Sequence, residues 1–317
     1  SRTIIYICIR RPDGYVGKPP ELGTDVFAMD TGAGSSTIPN FDSNFPVGFA
    51  FYRQPASSQS WEVGARLTQG KYLVLNTNAA EGNYAKMSFD SNVGFQNESN
   101  HDSTYQAWMW KRHAGFDVVT YKARGGDLAS YPHSLGKIPE MIWVKMRNSS
   151  QDWNVYHKGL NGGSSPEGYY MLLNTTDAEA SSTTRWGNTA PTAYSFYTGG
   201  HTGTNYINYE YIAMLFASVD GISKVGSYTG NSTAGHEISV GFAPRFLIIK
   251  PIEQTYGWFV VDTTRGWGSG DDEVLTLNSS TAESGWGFGA PTSTGFELNN
   301  DGAINQNGKE YIYYCHA

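Results

Sequence analysis

The segment Met141-Ile142-Trp143-Val144-Lys145 decides the fold, because the chain contains two further versions of it. The corresponding segments are Phe49-Ala50-Phe51-Tyr52-Arg53 and Phe246-Leu247-Ile248-Ile249-Lys250. Each is followed by a polar turn that ends in Trp, then by Leu-Asn-Thr or Leu-Asn-Ser, and finally by Tyr before another short apolar run. The copies recur at intervals of about 100 residues, which is the size of a self-sufficient domain rather than of a solenoid unit. The sequence therefore predicts three related modules.

One tryptophan position is common to all three copies. Trp61, Trp153 and Trp258 each end the polar turn that follows the apolar segment. Because a structural role is what three copies of a module have in common, we expect these side chains in the core.

The composition restricts the class of protein. Aromatic residues make up 14% of the 317 residues and charged residues only 16%, which is typical of a folded β protein and not of a disordered chain. A net charge of −7 argues against binding nucleic acid through bulk electrostatics. No run of 18 apolar residues is present, so we expect no membrane insertion.

The local pattern predicts strands. The apolar runs are short, rich in β-branched and aromatic residues, and bounded by Gly, Pro, Asn and Ser. The turns Gly136-Lys137-Ile138-Pro139 and Gly241-Phe242-Ala243-Pro244 precede two of the runs, where a proline is tolerated. We predict an all-β fold of tandem antiparallel β-sandwich modules, of the jelly-roll or lectin-like kind. A β-barrel or a set of propeller blades is the alternative, although blades are about half this length.

The module boundaries follow from the repeated phrases. Residues 1–14 resemble the closing phrase of a module, so we expect the chain to begin inside a longer polypeptide. A diverged module 1 then spans residues 15–115, module 2 spans 116–221 and module 3 spans 222–317. Connections of two or three residues cannot act as flexible tethers. We therefore expect a rigid serial array of modules.

The sequence offers little catalytic chemistry. The seven histidines lack the spacing of a helical metal pair and the chain has no CxxC motif, so we predict neither metal nor cofactor. Cys8 and Cys315 lie in different modules and are interpreted as buried free thiols. The densest acidic cluster is Asp271-Asp272-Glu273, which we interpret as a solvated loop rather than as a glycosidase pair. We predict no catalytic residue.

Aromatic residues outside the shared segments are the candidate ligand-binding groups. They stand in Gly- and Ser-rich stretches, where exposed rings stack on sugars or anchor interfaces. The alternative is that such rings cover the core of their own module. The candidates are Trp186, Tyr197, His201, Trp267 and Trp286.

Several long phrases carry a resemblance to a known family. The segments spanning 105–121, 135–145, 152–157 and 228–231 resemble a repeat module, catalogued as a domain of unknown function, of marine bacteriophages including cyanophages. That module occurs in large virion and tail-fibre-like proteins, and the resemblance covers essentially the whole chain. It implies a non-enzymatic structural protein on the surface of the virion. The family offers no catalytic residues to carry over.

The resemblance and the modular repeat together define the functional hypotheses. The first is a tail-fibre or appendage protein for host-surface attachment, assembled as a homo-oligomer, commonly a trimer, with other virion proteins. A capsid decoration or head-fibre protein is an alternative in the same class. A lectin-like module that binds host glycan, or a depolymerase of the appendage, is an alternative from a different class.

Overall fold

The computed structural model describes residues 22–34, 39–83, 87–97, 99, 101–268 and 270–317. It confirms the predicted fold class, because antiparallel sheets account for nearly all of the regular structure. The predicted module end at residues 1–14 and Cys8 lie outside the described residues.

Module 1 contains eight described strands and two short 3-10 turns. The strands are β1 (Phe27–Thr31), β2 (Phe41–Asp42), β3 (Phe49–Arg53), β4 (Glu62–Ala65), β5 (Leu73–Val74), β6 (Met87–Ser88), β7 (Gly94–Asn97) and β8 (Gln106–Trp110). The 3-10 turns are Gly23–Asp25 and Arg66–Thr68. The larger sheet has the order β1-β8-β3-β4-β5 and the smaller sheet the order β2-β7-β6.

Module 2 repeats this arrangement and adds one helical turn. Its elements are β9 (Phe116–Lys122), β10 (Ala129–Pro132), β11 (Met141–Met146), β12 (Asn154–His157), β13 (Tyr169–Leu172), β14 (Ala180–Ser181), β15 (Ser195–Thr198), α1 (Thr202–Asn205) and β16 (Glu210–Phe216). Two 3-10 turns span Leu160–Gly163 and Pro166–Gly168. The larger sheet has the order β14-β13-β12-β11-β16-β9, and β10 pairs with β15.

Module 3 follows the same plan. Its elements are β17 (Ser223–Thr229), β18 (His236–Ser239), β19 (Phe246–Pro251), β20 (Phe259–Asp262), β21 (Asp272–Thr276), β22 (Ser284–Trp286), β23 (Gly289–Pro291), β24 (Gly295–Leu298), α2 (Gly302–Asn305) and β25 (Glu310–His316), with a 3-10 turn at Thr263–Arg265. The sheet orders are β17-β25-β19-β20-β21-β22 and β18-β24-β23. The proposed boundaries near 115 and 221 fall in the connections β8–β9 and β16–β17.

The larger sheet of each module is buried on both faces. Along β11, Ile142 and Val144 pack into the core of module 2, whereas Met141 and Trp143 point to the opposite face. Because successive side chains of a strand alternate between faces, a strand that is covered on both sides needs apolar residues throughout. This explains why the repeated segments are continuous apolar runs instead of alternating ones.

The second faces of the three larger sheets meet in a shared central core. Phe51, Trp143 and Ile248 occupy equivalent positions on β3, β11 and β19, and all three belong to this one cluster. Smaller clusters lie between the two sheets of each module. The aromatic members of the central core are Phe27, Phe49, Phe51, Trp61, Trp108, Trp110, Phe116, Trp143, Trp153, Phe216, Phe246, Trp258 and Tyr314.

The expected serial array is therefore wrong, and the modules surround a common core instead. The prediction failed because a short connection restricts how freely two modules move but does not determine on which side of the first module the second one packs. Module 1 contacts module 3 as well as module 2: Phe27 packs against Phe246 with ring centroids 5.2 Å apart. The modules thus form a closed ring.

Candidate functional site

The three modules are joined by one hydrogen bond that occurs three times. The Trp61 indole Nε1 donates to the backbone oxygen of Thr276 in module 3 at 2.9 Å. In the other two interfaces Trp153 donates to Val74 and Trp258 donates to Leu172, each at 2.9 Å. Module 1 thus donates to module 3, module 3 donates to module 2, and module 2 donates to module 1. This cycle gives the chain a pseudo-threefold axis. The prediction that the shared tryptophans are core residues is confirmed, since none is more than 1% exposed.

The asparagine of the repeated Leu-Asn phrase holds each of these tryptophans in place. The side-chain oxygens of Asn76, Asn174 and Asn278 accept from the backbone N–H of the tryptophan of the same module at 3.0, 2.8 and 2.9 Å. The phrase and the tryptophan recur together because this bond connects them.

The basic residue that ends each apolar segment also reaches into the neighbouring module. Arg53 donates to the backbone oxygens of Ser280 and Thr281 at 3.1 and 2.9 Å. Lys145 donates to Asn78 and Lys250 to Thr176, at 3.2 and 3.1 Å. All three basic side chains are buried.

Burial lowers the pKa of each of these cations. The pKa of Lys250 falls to about 7 and that of Lys145 to about 8, with the nearby acids Asp177 and Asp152 opposing the shift. The pKa of Arg53 falls to about 10, to which the neighbouring Arg265 also contributes. Carbonyl oxygens take the place of water around these cations.

In modules 2 and 3 a helical turn closes the open end of the sandwich. The backbone oxygens of Thr204 in α1 and Ile304 in α2 accept from the hydroxyls of Tyr121 and Tyr228, at 2.7 and 2.6 Å. A second tyrosine of each module, Tyr211 or Tyr311, stacks on the first with ring centroids 5.1 or 4.9 Å apart.

The described residues of module 1 form no such turn, although the strand register is the same. Arg53 pairs with Gln106, just as Lys145 pairs with Ile212 and Lys250 pairs with Ile312. The residue before each partner is a tyrosine, so Tyr105 is the counterpart of Tyr211 and Tyr311.

The segment before Tyr105 is also shorter than its counterparts. A turn at 103–104 follows Asp102 directly, and β8 begins at Gln106. Among the described residues between β7 and β8, turns at 99 and at 103–104 are the only features of regular structure.

A cavity of about 270 Å³ lies beside Tyr105 in module 1. Most of its lining atoms belong to polar side chains, in contrast to the apolar core beneath. The residues around it are Tyr52, Arg53, Gln59, Ser60, Glu62, Ser99, His101 and Tyr105. We call this space the module-1 cavity.

Three aromatic side chains line the module-1 cavity. His101 and Tyr105 stack in parallel, with ring centroids 3.6 Å apart. The ring of Tyr52 lies 5.2 Å from that of His101 and is only 2% exposed. Burial and the adjacent Glu62 carboxylate raise the pKa of Tyr52, so its hydroxyl stays protonated and donates to Glu62. Asn97 donates to the same hydroxyl at 2.7 Å.

The module-1 cavity is lined by a cation, Arg53, and a carboxylate, Glu62. The guanidinium of Arg53 donates to backbone oxygens on both sides of the module interface, including that of Ser57 at 2.8 Å. Its N–H groups are therefore committed to the fold. Glu62 contributes a carboxylate, which accepts hydrogen bonds.

Two of the five predicted ligand-binding residues are in the core. Trp186 is 2% exposed, donates to the backbone oxygen of Tyr169 at 2.9 Å and packs edge-to-face with Tyr156. Trp267 is 4% exposed in the core of module 3. The exposure expected for these two is wrong, because the glycine-rich stretches fold back over their own sandwich.

The other three predicted residues are half-buried and do not line the module-1 cavity. Tyr197 lies on β15 opposite Ser130. His201 caps α1: its Nδ1 accepts from Gly203 N–H at 2.9 Å, and burial lowers its pKa to about 4. Trp286 packs against Phe288 with ring centroids 5.2 Å apart. The five residues belong to two different modules and form no common site.

The acidic cluster is partly structural. Asp272 is buried and accepts from the backbone N–H groups of Gly268, Phe288 and Gly289 at 2.7, 2.9 and 3.1 Å. Its interpretation as part of a solvated loop is therefore wrong for this residue, whereas Asp271 is exposed. Its carboxylate anchors these backbone groups in module 3.

The remaining site predictions concern metals and thiols. Among the described ranges, no three His, Cys, Asp or Glu side chains are grouped so as to hold a metal ion. Cys315 is a buried free thiol, as predicted, and burial raises its pKa. No helix in the described part of the chain is long and apolar enough to cross a membrane.

Sequence reasoning missed both the basic residues and the module-1 cavity. A signal existed for each. A cation ends all three apolar segments, and the chain between Leu-Asn and the closing Tyr is shortest in module 1. Neither signal identifies a site without the register of the strands.

The fold is that of an all-β protein of three sandwiches, one of which has a cavity lined mainly by polar residues. The chain belongs to the family described as Domain of unknown function (DUF7483), whose model matches residues 63–317. No curated protein matches the chain.

Proposed function

We propose that this chain is a non-enzymatic structural protein of a bacteriophage particle, part of a tail fibre or another appendage that contacts the host surface. The closed ring of modules carries the proposal, because each module braces its neighbours through buried bonds. Such a body suits a rigid, exposed part of a particle. The phrases shared with repeat modules of marine phage virion proteins support the same assignment.

The proposal is tested by locating the chain on intact particles. Antibodies against the purified protein, labelled with gold, should decorate the tail or its fibres in electron micrographs. The purified protein should also compete with particles for adsorption to host cells. Labelling of the head alone would favour the alternative, a capsid decoration or head-fibre protein. Absence of the protein from purified particles would contradict both versions.

The proposed partners are other virion proteins and further copies of the chain. The pseudo-threefold ring already buries within one chain the faces that single modules would use to form a trimer. A homotrimer of the whole chain would therefore assemble through other surfaces. Light scattering distinguishes a 34.8 kDa monomer from an assembly of three times that mass.

A carbohydrate-binding role is the second candidate, and the module-1 cavity favours it. Its hydroxyl, amide and carboxylate groups surround aromatic rings, which is the mixture that orients a small polar ligand. For a depolymerase, two facing carboxylates about 5 to 9.5 Å apart are needed. Asp272 cannot supply one, because backbone donors hold it inside module 3.

A further inference from the structure

We infer that a groove on module 2 is a docking site for an aromatic side chain of a partner polypeptide that carries a carboxylate beside that side chain. The groove has a volume of about 510 Å³ and lies between the turn at 137–140, Tyr156 of β12 and residues 193, 217 and 218. All of its lining residues belong to the described range 101–268. We call it the module-2 groove. The inference rests on the proposed function only in naming the partner, which would be another virion protein.

Each module has the same turn immediately before its repeated apolar segment. Asn44, Gly136 and Gly241 stand five residues before the start of β3, β11 and β19, and their φ angles are 61°, 68° and 91°. A positive φ favours glycine or asparagine, so this is one turn used three times. The residues that follow, at 45, 137 and 242, are therefore equivalent positions of the three modules.

An aromatic residue occupies this position in two modules but not in the third. Phe45 is buried in the core of module 1, and Phe242 is buried in the core of module 3. Module 2 has Lys137 instead, whose exposed side chain donates from Nζ to the backbone oxygen of Ser218 at 3.1 Å. The module-2 groove lies beside Lys137. Module 2 thus lacks the ring that the other two modules supply from their own chain.

The walls and the rim of the module-2 groove suit the side chain of a polypeptide. Buried Tyr156 and the methyl groups of Ala193 and Ala217 provide apolar walls, and the volume lies within the range of about 300 to 1,000 Å³ typical of binding pockets. At the rim, Ile138 is 56% exposed, and Tyr194, which follows Ala193, is 79% exposed. Exposed apolar groups of this kind mark interaction surfaces. A polypeptide would cover them together with the groove.

The charges of the module-2 groove favour an acid beside the aromatic ring. Lys158 is paired with Glu140, whose Oε1 lies 2.5 Å from its Nζ. The ammonium of Lys137 has three donors and uses one of them on a backbone oxygen, and no described carboxylate pairs with it. One positive charge of the groove is therefore left for a partner carboxylate.

The test is an NMR titration of the full chain, labelled in its alanine methyl groups, with short blocked peptides. Acetyl-aspartyl-phenylalanine amide should shift the methyl signals of Ala193 and Ala217, with a dissociation constant on the order of 1 mM. The peptide with alanine in place of phenylalanine should bind at least tenfold more weakly, because it leaves the apolar walls uncovered. The peptide with asparagine in place of aspartate should bind about threefold more weakly. Equal binding of the phenylalanine and alanine peptides, or no shift with either, would overturn the inference.

Variants of the groove separate binding from folding. Lys137→Phe supplies the missing ring from the chain itself, so it should abolish peptide binding and raise the midpoint of thermal unfolding by about 2 °C. Ala193→Trp fills the groove from another wall and should also abolish binding. Lys137→Gln removes only the charge and should bind the aspartyl and asparaginyl peptides equally. Lys122→Gln, at an exposed site on β9, is the matched control and should bind like the parent chain. Unchanged binding in both Lys137→Phe and Ala193→Trp would overturn the inference.

Two other occupants of the module-2 groove would give different results. Tighter binding of free 3-phenylpropanoate than of the aspartyl-phenylalanine peptide would identify a small-molecule site. Self-association of the parent chain in analytical ultracentrifugation that is lost in Lys137→Phe would identify a second copy of this chain. Either result would overturn the assignment of a different polypeptide as the partner.

Failure of this inference and failure of the proposed function give different results. If no peptide binds while gold labelling finds the protein on tails, only the groove assignment is wrong. If the peptide binds but the protein is absent from particles, the docking site stands and the virion role is wrong.

Discussion

The indole nitrogen of Trp153 lies 2.9 Å from the backbone oxygen of Val74, and this bond joins module 2 to module 1. The equivalent bonds of Trp258 and Trp61 close the cycle. Because the donor direction is the same at each interface, the chain reproduces within itself the symmetry of a cyclic trimer. The first and last modules are also in contact, since Trp61 of module 1 donates a hydrogen bond to Thr276 of module 3.

Removing the indole donor should weaken an interface between modules. Trp153→Phe leaves the Val74 oxygen without its partner, and a buried unpaired acceptor costs stability. Trp143→Phe is a matched control, because Trp143 lies in the same central core and its indole nitrogen has no hydrogen-bond partner. We expect Trp153→Phe to lower the free energy of unfolding by about 1–2 kcal/mol more than Trp143→Phe. Urea unfolding measures the difference, and equal losses would contradict the role of the bond.

Buried Lys250 should make stability rise with pH above neutrality. Its pKa is about 7 in the folded chain and about 10.4 when exposed, so between these values the unfolded chain binds the extra proton. The free energy of unfolding therefore increases with pH in this window, by about 2 kcal/mol from pH 7 to 9.

The comparison with Lys250→Gln isolates this contribution. The variant should lose most of the rise, whereas Lys122→Gln, at an exposed site, should retain it. The readout is urea unfolding at several pH values. Parallel pH profiles for the parent and Lys250→Gln would show that Lys250 stays protonated in the fold.

Two buried histidines should make the protein sensitive to acid. Burial lowers the pKa of His157 and His316 to about 3, well below the value of about 6.5 in the unfolded chain. Below pH 6.5 the unfolded chain therefore binds more protons, and the free energy of unfolding falls. Each histidine should cost about 2 kcal/mol between pH 7 and 5.

Substitution of one histidine checks this prediction. His157→Gln should flatten the acid side of the stability profile, as measured by circular dichroism during urea unfolding. His133→Gln, at a half-buried position outside the central core, is the comparison. An acid profile that His157→Gln leaves unchanged would contradict the assignment.

A single module should not be stable as a monomer. Module 3 alone, residues 222–317, would expose Ile248, Trp258 and Tyr314, which are at most 2% exposed in the intact chain. We expect the isolated module to associate, with a trimer as the closed form, or to remain unfolded. Analytical ultracentrifugation with circular dichroism distinguishes these outcomes from a folded monomer, which would contradict the shared core.

The fold class was predictable because it depends on local patterns. Short apolar runs such as Phe246–Ile249, bounded by turn residues, specify strands wherever they lie. The burial of Trp153 was predictable from its recurrence, whereas its hydrogen bond to Val74 was not. In contrast, the burial of both faces of the larger sheets was not predicted, because the sequence does not say which second surface covers a sheet.

The arrangement of modules and the candidate site depend on contacts distant in sequence. Trp61 and Thr276 are brought together only by closure of the ring. Trp186 lies in a glycine-rich stretch, yet it is buried because the loop returns to its own sandwich. The module-1 cavity is lined by residues from two separate stretches, 52–62 and 99–105, and their proximity leaves no motif in the sequence.

Small-angle X-ray scattering tests the closed ring most directly. A globular chain of this length should have a radius of gyration of about 20 Å, whereas a row of three modules, each about 13 Å in radius of gyration, should give about 30 Å. We expect the measured value to lie near 20 Å in dilute monomeric solution. A value near 30 Å would show an extended array and contradict the shared central core.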